Sequence, residues 1–164
     1  MKNKALSRAL ISALLFSLTA AMSIVEGAEN SWVTKASMHF SRTGAGAAVV
    51  NGIVYVIGGS QRYNTSDNGF SYRSINSTEA YDPATDTWVG KAPMPTSRDG
   101  LGVAVFQDKI YCFGGRNVSK DYSISTNVNE VYDTKTDSWE TKMPMPTARL
   151  LLSLAISWRL PGDR

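Results

Sequence analysis

Two stretches decide the fold: AAVVNGIVYVIGG at residues 47–59 and VAVFQDKIYCFGG at residues 103–115. Each contains two short apolar runs separated by a turn, and each ends in a pair of glycines. Asn51-Gly52 is a strong signal for a two-residue β-hairpin turn, and Gln107-Asp108 takes the same place in the second stretch. The sequence therefore predicts two copies of one β-hairpin.

The hairpins belong to a longer repeat with fixed spacing. A tryptophan is followed six residues later by a methionine and ten residues later by an arginine, three times along the chain. The residues are Trp32, Met38 and Arg42; Trp88, Met94 and Arg98; and Trp139, Met145 and Arg149. Successive periods of 56 and 51 residues indicate stacked units, each of which buries its apolar face against a neighbour.

The second half of each unit predicts two more strands. Glu79–Asp82 matches Glu130–Asp133, and each segment leads through a turn to a tryptophan. Four short strands in about fifty residues match one blade of a β-propeller. The double glycine, the tyrosine seven residues before tryptophan, the Met-Pro pair and the arginine resemble the kelch repeat, from about residue 31 to residue 149.

The resemblance implies an all-β fold, a partial kelch-type β-propeller with two four-stranded antiparallel blades and a lone flanking strand at each end. The expected blades are residues 46–90 and 101–140, with extra strands at 31–34 and 150–156, in a repeat region of residues 31–157. Because kelch-like rings usually need six or seven blades, the chain is expected to be a truncated piece of a larger propeller with a divergent tail at 158–164. A genuine two-blade protein is the alternative, and the exposed faces of two blades favour self-association.

The signature residues of the repeat have a structural interpretation. Paired glycines after a strand allow positive φ and close approach of the backbone. Tyrosine and tryptophan on adjoining strands are expected to pack in the blade core. These signature residues are Gly58, Gly59, Tyr81, Trp88, Gly114, Gly115, Tyr132 and Trp139. Asp82 and Asp133 head turns, where a carboxylate accepts bonds from backbone N–H groups, and metal binding is the alternative at both.

The three arginines have two possible roles. Arg42, Arg98 and Arg149 are expected to tie one blade to the next through charge-assisted hydrogen bonds. Arginines of this kind face a central ligand in some propellers, so the three are also candidate binding residues.

The first residues resemble an export signal. Lys2, Lys4 and Arg8 precede an uncharged, mostly apolar run from Ala9 to Ala21, which predicts a signal peptide of residues 1–23, cut at the latest after residue 27. An uncleaved membrane anchor is the alternative. Removing residues 1–23 takes away the net positive charge, so nucleic-acid binding has no electrostatic basis. The expected location is extracellular or at the cell surface, with the single Cys112 in the core rather than in a disulfide.

The segment from Ser60 to Thr78 is the most distinctive loop, and its counterpart, Arg116 to Asn129, is five residues shorter. Tyr63, Phe70 and Tyr72 are candidates for contact with a peptide or a carbohydrate, as is Tyr122 in the shorter loop. A solvated loop without a ligand is the alternative. Asn64, Asn76 and Asn117 begin N-glycosylation triplets, which makes them glycosylation candidates in an exported chain.

The sequence offers little for catalysis. One histidine and one cysteine cannot form a typical zinc site, and neither a nucleophile elbow nor a phosphate-binding loop is present. No cofactor, no metal and no catalytic residue is therefore expected. The favoured function is a non-enzymatic exported module that binds protein or glycan. The alternative is a fragment of a sugar-active enzyme resembling sialic-acid mutarotases, with Arg42, Arg98 and Glu79 as candidates.

Overall fold

The computed structural model describes residues 32–66 and 68–150. The chain divides into a unit that ends at Thr34 and a unit that begins at Lys35, and both blades belong to the second unit. The signal peptide, the tail at 158–164 and all but Leu150 of the strand expected at 150–156 lie outside the described residues. Strands and turns make up the described part, and within it no helix is long and apolar enough to cross a membrane.

The first blade is a four-stranded antiparallel sheet. Its strands are β1 (Gly46–Val50), β2 (Ile53–Ile57), β5 (Thr78–Asp82) and β6 (Thr87–Lys91), hydrogen-bonded in the order β1-β2-β5-β6. Between β2 and β5 the chain forms a separate two-stranded sheet, β3 (Ser60–Asn64) with β4 (Phe70–Ser74).

The second blade repeats this arrangement. Its strands are β7 (Gly102–Phe106), β8 (Lys109–Phe113), β11 (Asn129–Asp133) and β12 (Ser138–Lys142), in the order β7-β8-β11-β12. The shorter hairpin of β9 (Arg116–Val118) and β10 (Ser123–Ser125) separates β8 from β11. The predicted all-β architecture of two four-stranded blades is confirmed.

The predicted turns form with the expected backbone. Asn51 and Gly52 have φ of 51° and 80°, so the turn closes the pair Val50–Ile53. Gln107 and Asp108 also have positive φ, although neither is glycine. Positive φ at both central residues matches the right-handed twist of the flanking strands.

The core lies within the sheets and between them. Ile57, Ile110, Cys112 and Tyr132 are fully buried in one apolar cluster. Tyr55 of β2 and Tyr132 of β11 bring their ring centroids to 5.8 Å, which places an aromatic contact across the two blades. Burial raises the pKa of the Cys112 thiol to about 12, as expected for a core residue.

The first glycine of each pair occupies a position that a side chain cannot share. Gly58 has φ of 63°, and a Cβ there would lie 2.6 Å from the carbonyl oxygen of Arg98. Gly114 has φ of 56° and the same relation to the carbonyl oxygen of Arg149. Both pairs therefore have the positive φ and the close backbone approach expected of glycine.

Two details differ from the sequence interpretation. Residues 32–34 of the expected flanking strand form no regular strand. The segment from Ser60 to Thr78 is mostly a hairpin rather than a loop, with five registered pairs from Ser60–Ser74 to Asn64–Phe70.

Candidate binding surface

The aromatic pair of each blade packs on adjoining strands and attaches the blade to the segment that precedes it. In the first blade the rings of Tyr81 and Trp88 are 5.0 Å apart, the Tyr81 hydroxyl donates to Asp86 at 2.6 Å, and the Trp88 indole N–H donates to the carbonyl of Ala36 at 2.8 Å. The second blade repeats these contacts: Tyr132 packs on Trp139 and donates to Asp137, and Trp139 donates to the carbonyl of Ala92. The hydrogen bond to Asp86 raises the pKa of Tyr81 to about 12 and lowers the pKa of Asp86. Each of these side chains therefore has a structural partner within the repeat.

The two aspartates that head turns are engaged in those turns. Asp82 accepts a hydrogen bond from the backbone N–H of Ala84, and Asp133 accepts one from that of Lys135. Asp133 also forms an ion pair with Lys109 at 2.8 Å, and the hydrogen bond from Lys109 lowers the pKa of the carboxyl group. Among the residues the structure describes, no group of three or more metal-ligating side chains occurs.

Arg98 joins the two blades. Its backbone belongs to the first blade, since its N–H donates to the carbonyl of Ile75 and its own carbonyl accepts from Gly59. Its guanidinium belongs to the second blade, where it donates to the carboxylate of Glu130 and to the carbonyl of Gly114, both at 2.7 Å. Only 1% of the Arg98 side chain is exposed, although Arg98 is among the residues that line a cavity beside the second hairpin.

Arg42 makes the equivalent contacts in the first blade. Its guanidinium donates to the carbonyls of Gly58 and Ser77 and pairs with the carboxylate of Glu79. His39 binds the other oxygen of this carboxylate through its backbone N–H and through Nδ1, at 2.9 and 2.6 Å. The three residues suggested for sugar chemistry, Arg42, Arg98 and Glu79, are therefore occupied in buried ion pairs.

Arg149 stands apart from the other two arginines. Its backbone repeats their pattern, because its carbonyl accepts from Gly115 and its N–H donates to Thr126. Its side chain is exposed and contacts the hydroxyl of Thr147, and it meets no carboxylate within residues 32–66 and 68–150. Of the three arginine candidates, it alone offers a guanidinium to solvent.

The two short hairpins form one surface, here called the hairpin surface, which consists of residues 60–66, 68–74 and 116–125. Ser74 of β4 joins them, since its hydroxyl donates to the carbonyl of Arg116 at 3.3 Å and accepts from the backbone N–H of Val118 at 2.9 Å. The Arg116 side chain is held by Asp99 at 2.8 Å. Neighbouring repeats thus present their variable segments side by side.

Large side chains are exposed on the hairpin surface. Phe70 and Tyr72 are 55% and 41% exposed and pack edge to face, with Arg62 stacked 4.0 Å from the Phe70 ring centre. Tyr122 and Ile124 are 48% and 61% exposed on the second hairpin. Tyr63, predicted as a third aromatic contact, is half-buried. Phe70, Tyr72 and Tyr122 therefore stay candidates for contact with a partner. Ile124 is added to them, so that the candidate contacts lie on the hairpins of both repeats.

A cavity of about 340 Å³ adjoins these side chains. Its lining includes Ser97, Asn117, Tyr122, Ile124 and Thr126, which belong to the linker between the blades, to the second hairpin and to the segment after it. Both polar and apolar side chains contribute to its lining.

The three glycosylation candidates are not equivalent. Asn64 is exposed at the end of β3. Asn117 is half-buried and lines the cavity just described. The side-chain nitrogen of Asn76 donates to the carbonyl of Met94 at 2.9 Å, and Asn127 makes the same bond to Met145. Asn76 thus has a structural role that recurs in both repeats.

Several contact residues were not assigned a role from the sequence. Glu130 forms the ion pair with Arg98. Asp86 and Asp137 accept the hydrogen bonds of the tyrosines in the two aromatic pairs, and Ile124 adds to the exposed surface. The three acidic residues recur at matching positions of the repeat, so their recurrence is the signal that could have identified them. Ile124 has no such signal, because hairpin sequences differ between the repeats.

Comparison with known families decides the identity of the repeat. The kelch motif matches residues 41–95 and 97–146. This chain belongs to the kelch family. The matched ranges contain both blades and both hairpins.

Its kelch relatives are longer proteins. The kelch-like protein terF of Aspergillus terreus is 33% identical over 124 residues, which cover 75% of this chain and 26% of that protein. An F-box/kelch-repeat protein of Arabidopsis thaliana is 34% identical over 111 residues, covering 67% and 27%. Beta-scruin of Limulus polyphemus is 32% identical over 130 residues, covering 77% and 13%. The chain thus spans about a quarter of the length of these relatives, or less.

A solved structure supports the fold independently. The structure of YjhT superimposes with a TM-score of 0.59 at 21% sequence identity, over 71% of this chain and 42% of that one. At this identity the similarity concerns the architecture of the kelch fold.

Proposed function

We propose that this kelch chain is an exported protein-binding module and that its hairpin surface contacts the partner. Kelch repeats generally mediate protein binding. The observation that carries the proposal is the exposed set Phe70, Tyr72, Tyr122 and Ile124, which two repeats present on adjoining hairpins. Aromatic residues and arginine are enriched at the centres of protein interfaces, where they contribute most of the binding energy.

Charge supports a protein partner with acidic groups. The sequences of the two hairpins carry Arg62, Arg73 and Lys120 against two aspartates, while Arg116 is paired with Asp99. The stacking of Arg62 on Phe70 fixes its guanidinium plane next to an apolar ring. Such a surface suits a partner that presents carboxylates beside apolar side chains.

Site-specific photocrosslinking tests this assignment. A photoreactive phenylalanine analogue replaces Tyr72 or Tyr122 in the full chain, which is then incubated with surface proteins of the organism that encodes it. Val89 on β6 is a matched control, since it is similarly exposed but lies on the outer strand of the blade. We expect adducts at 72 and 122 that excess unlabelled chain suppresses and that protease digests.

Two results would contradict the proposal. Adducts of equal yield at position 89 would show non-specific contact. Adducts that resist protease but disappear with glycosidases would identify a glycan ligand instead.

Export is tested separately by sequencing the N-terminus of the chain after secretion from a suitable host. The basic start and apolar run predict a new terminus after Ser23, or at the latest after Gly27. Recovery of the chain with Met1 intact inside the cells would contradict export without affecting the binding proposal.

A further inference from the structure

Strand β9 of the second repeat is bound by the first repeat through its backbone. The N–H of Asp99 donates to the carbonyl of Arg116, and the N–H of Arg116 donates to the carbonyl of Asp99, both at 2.9 Å. The hydroxyl of Ser74 donates to the same carbonyl of Arg116 at 3.3 Å and accepts from the backbone N–H of Val118 at 2.9 Å. These bonds use main-chain groups of β9, which any extended segment also has.

Ser125 is the counterpart of Ser74 in the second repeat. Each serine precedes a residue whose N–H donates to the second glycine of the pair and whose carbonyl accepts from the N–H of the repeat's arginine. These following residues are Ile75 and Thr126. Leu150 likewise follows the third arginine directly, as Asp99 follows the second. The second repeat therefore has the same docking groups, the hydroxyl of Ser125 and the backbone of Leu150.

The docking groups of the second repeat have no strand beside them. Within residues 32–66 and 68–150, the Ser125 hydroxyl and the backbone N–H and carbonyl of Leu150 have no hydrogen-bond partner. Both residues are exposed, so a segment that approaches from solvent can reach them. A strand placed here would bind as β9 binds to the first repeat.

The charge next to the docking groups favours a segment with a carboxylate. The guanidinium of Arg98 is paired with Glu130, whereas that of Arg149 contacts only the hydroxyl of Thr147 in the part of the chain that the structure describes. Arg149 directly precedes Leu150, so its charge lies beside the docking groups. A guanidinium forms strong hydrogen bonds with a carboxylate, which makes an acidic residue the fitting partner.

Leu150 favours an apolar residue in the same segment. At the matching place of the first repeat, the carboxylate of Asp99 binds the side chain of Arg116 at 2.8 Å. Leu150 has no charge and is 36% exposed, so it offers apolar surface there instead. Ile124, next to Ser125 in β10, is 61% exposed and adds to this apolar surface.

A second copy of this chain does not fit these requirements. Its counterpart of β9 begins at Ser60, whose N–H and carbonyl are already bonded to Thr43 of the same chain at 2.8 and 3.0 Å. Its counterpart of Glu130 is Glu79, which is already paired with Arg42. Another copy therefore presents neither a free strand nor a free carboxylate at the matching positions, and the docking groups suit a different protein.

We propose that Ser125, Arg149 and Leu150 bind an extended segment of the partner protein. Ser125 and the backbone of Leu150 bond its main chain, an apolar residue of the segment packs on Leu150, and an acidic residue pairs with Arg149. Main-chain hydrogen bonds provide affinity in this mode of recognition, and side chains provide specificity. The inference rests on the proposed protein-binding function, to which it adds the kind of segment that is bound.

Selection from a peptide library tests this mode of binding. A phage library of eight randomised residues is selected against the immobilised full chain, and the enriched sequences are synthesised for affinity measurement by fluorescence anisotropy. We expect enriched peptides that contain an aspartate or glutamate near an apolar residue. Replacing the acidic residue by its amide should weaken binding at least about tenfold. Absence of enrichment, or enriched peptides without a carboxylate, would overturn the inference.

Matched variants locate the bound peptide. Arg149→Gln removes the charge and should weaken binding at least about tenfold, and Ser125→Ala should weaken it by a smaller factor. Lys135→Gln is the control, since it removes one positive charge from a turn where the side chain is 72% exposed, and it should leave the affinity unchanged. Tryptophan fluorescence verifies that each variant is folded. Equal affinities of Arg149→Gln and Lys135→Gln would contradict the inference.

Two further measurements separate this inference from related ones. Photocrosslinked adducts at position 72 whose yield is the same in Arg149→Gln as in the unmodified chain would overturn the inference and leave the hairpin surface as the binding site. Sedimentation of the full chain tests the alternative occupant. An oligomer that Arg149→Gln dissociates would identify a second copy at the docking groups and would also overturn the inference.

Discussion

Substituting Glu130 by glutamine tests how much the buried ion pair with Arg98 contributes to stability. The two side chains are 1% and 2% exposed, and their N–O distance is 2.7 Å. Glu130→Gln keeps the shape and an acceptor for Thr96, but it leaves the guanidinium buried without a countercharge. Removing one partner of a buried pair typically costs about 3–5 kcal/mol. The carbonyl of Gly114 still accepts a hydrogen bond from the guanidinium. We therefore expect the free energy of unfolding to fall by about 3 kcal/mol, the lower end of that range.

The assay is urea denaturation of the full chain, followed by tryptophan fluorescence. Glu140→Gln is the matched control, since it makes the same chemical change in an exposed pair with Lys142 and should leave the unfolding midpoint almost unchanged. The double variant Arg98→Met with Glu130→Leu should be more stable than Glu130→Gln, because no charge is left buried. If Glu130→Gln and Glu140→Gln have the same midpoint, the pair does not hold the blades together.

Three further predictions concern the backbone, the thiol and the response to acid. Gly58→Ala should lower the free energy of unfolding by about 1–3 kcal/mol, because φ is positive and the new Cβ meets a carbonyl oxygen, whereas Gly90→Ala should not; equal melting temperatures for the two variants would contradict this. Cys112, with its pKa raised to about 12 by burial, should not react with a thiol reagent at neutral pH until the chain is unfolded, and rapid labelling of the folded chain would refute its core position. The hydrogen bond from Tyr132 lowers the pKa of Asp137 in the folded state, so this contribution is present above the ordinary carboxyl pKa of about 4 and is lost as pH falls through the lowered value. Asp137→Asn should therefore lose less stability on acidification than the unmodified chain, as measured by urea midpoints, and equal losses would contradict the assignment.

The four-stranded blades could be predicted because their signals are local and occur twice. Asn51-Gly52 fixes a hairpin turn by its own backbone preference, and Gly58 marks the only kind of residue that fits beside a carbonyl. The same alternation of apolar runs and turns recurs 56 residues later, which removes the ambiguity of a single copy.

The hairpin of β3 and β4 could not be predicted in the same way. Its sequence is polar, lacks the alternation of a half-buried strand and differs in length from its counterpart. Its strands are held by their mutual ladder and by Ser74, whose partners lie more than forty residues away. The hydrogen bonds of Ser74 join residues so far apart in the chain that the spacing of neighbouring residues does not predict them.

The burial and the long-range contacts of the candidate site residues could not be predicted from the sequence either. The three arginines were identified by their spacing, but only the fold shows that Arg42 and Arg98 are enclosed and that Arg149 is exposed. The contact of His39 with Glu79 joins residues forty positions apart, and the repeat gives no hint of it because proline stands at the matching place in the second copy.

The double attachment of Arg98 has a consequence for how this chain can change over evolutionary time. A residue whose backbone belongs to one blade and whose guanidinium belongs to the next tolerates no insertion or deletion nearby, and the tryptophan-to-arginine distance is ten residues in every copy. The tips of the hairpins carry no such constraint, and the two repeats differ there by five residues. Length variation is thereby directed to the hairpins, where insertions and deletions leave the geometry of the blades unchanged.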